Sequence, residues 1–313
     1  MTGSQIVKPG LYPMDAESYH RDPLREQGGS VSSTMLKILH GQSPQHARHY
    51  IDHGRPPKRH FDLGSAVHAD ALGRGAEVVY WGEGKGKDSW RSGDAKDFYR
   101  FSQEQHQIPL LLDEKPQVDA MVAKIRAHRI LGPMLEPGKF TAEQAAFWID
   151  PDTGLWCRAM WDAVPDFDDV LTICDLKTCQ RADPDSIAKA IADYRYDMQE
   201  EHYTDAARVL RDLGLLSFDA VRYLLAFVEK DPPHAITVRP IGEETRRWAA
   251  KHRREALTTY ARCVAADHWP SYDDPGPDDK LEPIEAPHWK LRQWEYADDA
   301  WASLESPAES ELF

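Results

Sequence analysis

Three stretches in the middle of the chain alternate between apolar and polar residues, which is the period of a half-buried β-strand. They cover residues 142–150, 155–163 and 169–177, and turn-forming residues separate them. Further on, residues 220–229 and 235–239 show strand patterns on either side of an Asp-Pro-Pro sequence. The pattern therefore predicts three consecutive strands in one sheet, followed by a two-stranded hairpin.

Helical spacing of apolar residues dominates the regions on both sides of these strands. Ser32 or Ser33 is suited to cap a first short helix, Pro44 to open the second, and Gly214 to end the seventh. After that short helix, the predicted helices cover residues 44–53, 62–72, 94–106, 116–131, 184–194, 197–213 and 243–267. The polar residues 1–30 are expected to wrap the surface. Together, the strand and helix patterns predict an α/β protein with a central mixed sheet flanked by helices and with helical N-terminal additions.

The composition is that of a soluble chain with a substantial core. Of the 313 residues, 41% are hydrophobic and 29% are charged, and the mean hydropathy is −0.62. No apolar run approaches the ~18 residues that a membrane-spanning helix needs, and the N-terminus does not resemble a secretory signal. We therefore expect a cytoplasmic protein without membrane contact. The four cysteines include no C-x-x-C pair, so neither a zinc ribbon nor a four-cysteine cluster is expected.

Acidic residues exceed basic ones, and the excess is concentrated at the C-terminal end. The net charge is −14, and residues 271–313 contribute −9 of it through 12 acidic and 3 basic residues. The rest of the chain is therefore only mildly acidic, at −5. This balance argues against a protein that coats DNA non-specifically and predicts that any DNA contact comes from local basic patches. We interpret residues 273–313 as a flexible acidic tail.

The strand at residues 169–177 carries reactive groups as well as the pattern. Asp175 and Lys177 are two positions apart, so a strand directs them to one face and Leu176 to the other. An acid and a base at the end of an apolar strand are costly to bury unless they pair or bind a metal. Asp162 ends the preceding strand, so two carboxylates and an ammonium are expected to converge. Such a group suits phosphodiester hydrolysis, because Mg²⁺ prefers oxygen ligands and a lysine stabilises developing negative charge.

The order and spacing of Asp162, Asp175 and Lys177 resemble the PD-(D/E)xK signature of a nuclease superfamily. Two further elements resemble motifs of its RecB-like members. Gly64 to His68 looks like their G-x-x-x-H helix, and Gln199 to Tyr203 looks like their Q-x-x-x-Y motif, which lies on a helix after the lysine strand. All these elements occur in the order of the family, and the set is specific although no single motif is.

The ends of the matched region resemble RecE-type exonucleases in particular. Their opening is matched by residues 9–12, 17–20, 32–37 and 43–44, and their closing motif by residues 269–272. The resemblance therefore covers about residues 9–272. It implies a restriction-endonuclease-like nuclease core at residues 61–272, preceded by a helical or wrapping segment at 1–60 and followed by the acidic tail at 273–313.

The resemblance also implies a role for each candidate residue. The positions implied to hold Mg²⁺ or Mn²⁺ are His68, Asp162, Asp175 and, through its carbonyl oxygen, Leu176. Lys177 is implied to position the attacking water. Gln199 and Tyr203 support the site by bracing the lysine or contacting the nucleic-acid backbone, and the alternative is a purely structural amide–phenol pair. Glu143 is a secondary candidate, with an ordinary surface carboxylate as the alternative.

The implied function is an exonuclease that digests linear double-stranded DNA from its ends, 5′ to 3′, and leaves single strands for recombination, as in phages. The glycine-rich stretch at residues 82–89 departs from the phosphate-binding pattern at Trp81 and Asp88, so the sequence predicts that cleavage needs no ATP. A single-strand annealing protein is an expected partner. Two alternatives stay open: a RecB-like repair or defence nuclease with endonuclease or single-strand activity, and a non-catalytic recombination scaffold.

Two basic stretches are candidates for DNA contact. Residues 55–60 form a compact basic loop, and the helix at 243–267 carries five cations between residues 246 and 254; a solvated surface is the alternative for each. Because the body is mildly acidic, several subunits that enclose DNA are a better route to processive digestion than adhesion to one open face. RecE-like enzymes form such rings, so we predict a homo-oligomeric ring, most simply a tetramer.

Overall fold

The computed structural model describes residues 6–54, 59, 62–166, 169–274 and 283–305, the last eight of them by their backbone alone. The chain divides into two units, Met1–Ser271 and Tyr272–Phe313. Apart from Arg59, the predicted basic loop at 55–60 lies outside the described residues, as do residues 275–282 and 306–313 of the predicted tail. Within the described ranges, no helix has the length and apolar character needed to cross a membrane.

The elements agree closely with the hydrophobic pattern. The strands are β1 (Gly10–Pro13), β2 (Val31–Ser32), β3 (Val78–Trp81), β4 (Ile108–Leu111), β5 (Phe140–Ile149), β6 (Trp156–Pro165), β7 (Val170–Cys179), β8 (Ala220–Glu229) and β9 (Ile236–Arg239). The helices are α1 (Ala16–His20), α2 (Ser33–Gly41), α3 (Pro44–His53), α4 (Asp62–Leu72), α5 (Gly93–Glu104), α6 (Lys115–Ala127), α7 (Leu131–Met134), α8 (Pro184–Tyr194), α9 (Tyr196–Asp212), α10 (Glu243–Ala266) and α11 (His288–Glu305). The helix predicted at 116–131 is interrupted, because His128 adopts an extended conformation between α6 and α7.

One mixed sheet organises the larger unit. Its strand order is β1-β5-β6-β7-β8-β9, and β2 also pairs with β6. The β7–β8 and β2–β6 pairs are parallel, and the other pairs of this sheet are antiparallel. The prediction of a mixed central sheet flanked by helices is therefore confirmed. The strands β3 and β4 form a separate two-stranded parallel sheet that the pattern did not predict.

The two edges of β6 are occupied very differently. Strand β5 pairs along one edge from Trp156 to Pro165. The other edge is shared, because β2 pairs with it at Cys157 and Arg158 while β7 pairs with it only at Ala163. The strands β6 and β7 are consecutive in the chain, yet their ladder is interrupted on either side of this single registered pair, an interruption that we call the opening. This opening lies where the signature residues are found.

The two faces of the sheet pack against different groups of helices. Trp161, Ile173 and Phe227 belong to the apolar cluster that includes residues of α2, α9 and α10. Cys174 and Leu176 belong to a second cluster that includes residues of α4, α6 and α7. Alternate residues of β7 therefore enter opposite layers, as the period of a strand requires.

Two terminal segments contain structure that the hydrophobic pattern did not predict. The N-terminal residues do more than wrap the surface, since Ile6, Tyr19 and Leu24 are buried in a third cluster with Phe147 and Met160. The predicted flexible tail contains the helix α11. Net charge indicates how well a segment is solvated, and it does not report the local preferences that form a helix, so the charge argument missed α11.

Candidate active site

Asp175 and Lys177 lie side by side on β7, as their spacing predicted. Lys177 Nζ is 2.5 Å from Asp175 Oδ2, and the two side chains are 21% and 1% exposed respectively. The side chain of Leu176, between them, packs into the cluster on the opposite face. An ion pair this deeply buried is costly unless other polar groups satisfy it. The helix α9 supplies such a group.

Gln199 on α9 joins Asp175 to a second lysine. Its Nε2 donates to Asp175 Oδ1 at 2.7 Å, and its Oε1 accepts from Lys37 Nζ at 2.9 Å. Because an ammonium only donates and a carboxylate only accepts, these two partners determine which way the amide points. The same Nε2 lies 3.4 Å from the hydroxyl of Tyr223. Gln199 therefore contacts the aspartate of the signature, which in turn pairs with Lys177.

Tyr203 follows Gln199 by one helical turn and is buried. Its ring packs edge-on against Tyr223 at 6.2 Å between centroids, and its hydroxyl shares a hydrogen bond with Ser33 at the start of α2. Burial raises the pKa of Tyr203 well above its ordinary value. The tyrosine is thus a neutral group that ties α9 to α2 and β8, and it is not exposed towards a nucleic-acid backbone.

Asp162 lies on β6 beside the opening and receives two partners. His68 Nε2 on α4 is 3.2 Å from Asp162 Oδ2. The same oxygen accepts from the backbone N–H of Leu176 at 3.0 Å. A carboxylate on β6 thereby bridges α4 and β7 across the place where the two strands separate. The histidine and both aspartates of the resemblance are brought into one site.

Gly64 explains how α4 comes close enough to deliver this histidine. A Cβ built at Gly64 would lie 2.7 Å from Thr178 Oγ1 on β7, closer than real contacts allow. Gly64 and His68 are i, i+4 neighbours and therefore lie on one face of the helix. The absence of a side chain at the first position allows the helix to approach β7, and this approach places the imidazole beside Asp162.

Glu143 is buried near Asp162, on the neighbouring strand β5. The residues around it pair as Ala142 with Ala163 and Gln144 with Trp161, so Glu143 is opposite Asp162 in the register. Its φ of 49° lies in the left-handed region, which a non-glycine residue seldom adopts. Its side chain is 6% exposed, and Arg74 Nε lies 3.7 Å from its Oε2. The alternative of an ordinary surface carboxylate is therefore wrong for Glu143.

Burial has the largest influence on the pKa of each ionisable group in the site, and the neighbouring charges then also shift these pKa values. Burial raises the pKa of Asp175, and it also raises the pKa of Glu143. Burial opposes ionisation of Asp162 as well, but His68, Lys177 and the backbone N–H of Leu176 together outweigh burial and lower the pKa of Asp162. Burial opposes the charge of Lys177, yet Asp175 raises its pKa, so the lysine stays an ammonium. Burial opposes a charge on His68, but the adjacent Asp162 raises the pKa of His68. The site therefore packs three buried carboxyl groups against Lys177 and His68.

The donor groups fit a hard divalent cation. The buried Oε2 of Glu143 accepts no hydrogen bond, and Asp175 Oδ2 has the Lys177 ammonium beside it. Carboxylate oxygens with one neutral imidazole are acceptable ligands for Mg²⁺ or Mn²⁺. In the part of the chain that is described, no three His, Cys, Asp or Glu side chains are already arranged to hold a metal ion. Metal binding at this site therefore requires the pairs around Asp162 and Asp175 to rearrange.

Two residues beside the site were not identified as candidates from the sequence. Lys37 had appeared only as part of a resemblance at residues 32–37. Tyr196, the first residue of α9, lies under both lysines: the ring centroid is 5.4 Å from Lys37 Nζ and 5.3 Å from Lys177 Nζ. The only signal available in the sequence was that matched N-terminal motif, because α2 is distant from β7 in the chain.

The basic stretch predicted on α10 is divided between structural and exposed residues. Arg253 is buried and pairs with Asp205, and Arg254 Nη1 is 2.9 Å from the buried Asp150. Arg246, Arg247 and Lys251 are exposed. Arg253 and Arg254 therefore hold the fold together. The prediction that some of these cations line a DNA channel is now restricted to the three exposed ones.

The family model described as "PDDEXK-like domain of unknown function (DUF3799)" matches residues 32–275, which include every site residue described above. The fold is also similar to the crystal structure of a protein from Eubacterium rectale that bears the name "putative exonuclease". That similarity has a TM-score of 0.56 at 11% identity and covers 89% of this chain and 98% of the other. At this identity the likeness concerns the fold alone. No curated protein matches the chain significantly in sequence.

Proposed function

The chain belongs to this family of PDDEXK-like domains, and from that premise we propose that it is a metal-dependent nuclease that hydrolyses DNA. The observation that carries the proposal is the meeting of Asp175, Lys177, Asp162 and His68 at the opening between β6 and β7. Four groups from two strands and a helix converge there, and all of them are of the types that phosphodiester hydrolysis uses.

Each residue has a distinct part in this proposal. Lys177 is the group we assign to the reacting atoms, since its ammonium can orient a water and stabilise negative charge that develops on the phosphate. The residues that would hold Mg²⁺ or Mn²⁺ are His68, Asp162, Asp175 and the carbonyl of Leu176, with Glu143 as a further carboxylate. When bound, the ion would neutralise the phosphate and favour ionisation of a water. Gln199 keeps the Asp175 carboxylate oriented.

We further propose that the enzyme is an ATP-independent exonuclease that digests linear duplex DNA from its ends, 5′ to 3′. Support comes from the RecE-like N-terminal motif, whose Lys37 contacts the buried network of the site. The name of the structurally similar E. rectale protein is in line with an exonuclease. The single strands left behind would serve recombination or repair in the cytoplasm.

Digestion of separately end-labelled DNA tests this function. Purified protein is incubated without ATP with linear duplexes labelled at either the 5′ or the 3′ end, and with a closed circular duplex. We expect early release of the 5′ label with Mg²⁺ or Mn²⁺, no cleavage of the circle, and no activity in EDTA. Cleavage of the circle would instead indicate an endonuclease. Absence of cleavage with either metal would support the non-catalytic scaffold.

Assembly belongs to the same proposal. A tetrameric ring would combine the few basic residues of each subunit, such as Arg246 and Arg247, into one positive channel. The acidic tail would be free to bind a basic partner such as a single-strand annealing protein. Sedimentation velocity at working concentration is the direct measurement. A monomer that degrades long duplexes processively would exclude the ring.

A further inference from the structure

A row of aromatic rings leads away from the candidate active site across α9, α2 and α10. We call this row the aromatic strip, and it consists of Tyr196, His40, His252 and Trp248. Three cations lie along it, namely Lys37, Arg195 and Lys251. The motifs of the resemblance assign no role to the far part of the strip.

The near end of the strip is part of the site itself. Lys177 and Lys37 both lie over the ring of Tyr196. His40 is three residues after Lys37 on α2, so the two side chains are on the same side of that helix. Arg195, the residue before Tyr196, contacts His252, so the near end of the strip is linked to the ring stack through neighbouring residues.

The far end of the strip is a stack of three rings. His40 and His252 stack at 4.2 Å between centroids with 23° between their planes. Trp248 stacks on His252 at 5.6 Å and 28°, and Lys251 Nζ lies 5.2 Å from the centre of the indole. Trp248 is 52% exposed, which is unusual for the largest apolar side chain. The stack thus ends in an aromatic surface that is open to solvent.

A flanking cation orients one ring of the stack. Arg195 Nη2 is 3.0 Å from Nδ1 of His252. A guanidinium can only donate, so Nδ1 is the acceptor in this hydrogen bond. Burial lowers the pKa of His40, and the neighbouring Arg195 and His252 lower it further. The strip therefore presents flat rings suited to stacking, with cationic side chains beside them.

We infer that the aromatic strip binds single-stranded DNA and holds the strand that runs to or from the active site. The direction of that strand relative to cleavage rests on the proposed function, whereas the binding itself does not. Aromatic surfaces flanked by cations bind single strands because every base offers a flat face for stacking. A duplex keeps those faces stacked inside the helix, so the exposed indole discriminates in favour of unpaired bases.

The charges along the strip predict how this binding responds to salt. Arg195 is paired with the buried Asp197, and Lys251 lies 3.9 Å from Glu255. Few uncompensated cations thus remain to contact phosphates. Because the salt dependence of DNA binding follows the number of neutralised phosphates, we expect a shallow dependence, with stacking as the larger contribution.

Binding of an oligonucleotide in EDTA tests the inference without any hydrolysis. The probe is a fluorescently labelled fifteen-residue oligothymidylate, and its anisotropy is followed as protein is added. Trp248→Ala should weaken binding about tenfold, whereas Trp248→Phe, which keeps a flat ring, should recover most of the affinity. Phe101→Ala is the matched control, because Phe101 is 58% exposed on α5 and lies outside the strip. Lys251→Glu is a second variant that should also weaken binding.

Three results would overturn the inference: wild-type protein that does not bind the probe, a Trp248→Ala protein that binds it as well as wild type, and an equal loss of affinity for a blunt duplex. The nuclease assay is read separately. Binding without cleavage would count against the nuclease proposal and leave the strip intact. If the wild-type protein cleaves DNA but Trp248→Ala does not change binding, the nuclease proposal is supported and the strip is not a binding site.

Discussion

The two edges of β7 show how this protein combines a fixed strand with an open site. Along one edge β7 pairs with β8 in parallel over its whole length, from Val170 to Cys179. Along the other edge it shares a single registered pair with β6, between Cys174 and Ala163. A strand that is fully paired on one side has a well-defined position. On the other side the ladder is interrupted, and Asp162 there contacts the backbone N–H of Leu176 and His68 of α4.

The side chains on the two sides follow the same division. On the α9 side, Asp175 is held by Lys177 and Gln199, and the amide is itself fixed by Lys37. On the β6 side, Glu143 has a left-handed backbone and an oxygen without a hydrogen bond. The edge of β7 that pairs fully with β8 thus fixes the position of the acid–lysine pair. The groups near the β6 edge are those that we expect to rearrange when a metal ion binds.

The largest effect is expected from the acid–lysine pair. Asp175→Asn and Lys177→Ala should each lower the rate of DNA hydrolysis at least about 100-fold, because each removes charge where the phosphate reacts. Initial rates on a linear duplex with Mg²⁺ measure this, and circular dichroism checks that each variant folds. Lys189→Ala is the control, since Lys189 is an exposed lysine on α8. A Lys177→Ala protein with the wild-type rate would remove Lys177 from its assigned role.

A second effect is expected where α4 meets β7. Gly64→Ala places a Cβ against Thr178, so it should cost about 1–3 kcal/mol of stability and lower activity by moving His68. Urea unfolding and initial rates measure the two effects. The control is Gly93→Ala, because a Cβ at Gly93 meets nothing within 4 Å. Adding Thr178→Ala should restore part of both losses, and if it restores neither, this contact is not what positions the helix.

A third effect concerns the anchored side of the site. Burial raises the pKa of Glu200 on α9 from its ordinary value near 4.5 to about 8. Between these pH values the unfolded chain is ionised and the folded chain is protonated, so this group makes the fold less stable as the pH rises. Glu200→Gln should therefore stabilise the protein more at pH 8 than at pH 5, by a few kcal/mol at most.

Urea unfolding of wild type and Glu200→Gln at both pH values measures this difference. Glu244→Gln is the control, because Glu244 is exposed in the first turn of α10. If Glu200→Gln changes the free energy of unfolding equally at pH 5 and pH 8, Glu200 is ionised in the folded protein. The buried side of α9 would then contain a partner for a charged carboxylate that the present contacts do not include.

The smallest effect is expected from the C-terminal unit. A chain that ends at Ser271 retains the sheet and all the residues of the candidate site. Its nuclease rate on naked DNA should equal that of the full chain, because the tail is expected to serve partner binding and not catalysis. Loss of the fold on truncation, seen by circular dichroism, would show that the tail is an integral part of the core.

Much of this architecture was predictable from the sequence alone. Periods of two and 3.6 residues located the central strands and most helices, and the period of two placed Asp175 beside Lys177 and Leu176 on the opposite face. These inferences succeed because each depends on residues that are near one another in the chain. The assignment of catalytic and metal-binding roles at these positions stays a prediction until the variants are measured.

The tertiary structure alone decided which distant groups meet. Lys37 reaches Gln199 across 162 positions of the chain, and Glu143 comes opposite Asp162 through the register of β5 and β6. The edge of β6 that faces β7 is also paired with β2, a two-residue strand with no periodic signal of its own. Local patterns determine which face a side chain occupies, but pairing between distant segments depends on how whole layers pack. For that reason the acid–lysine pair could be found in the sequence, whereas the groups that other segments bring to it could not.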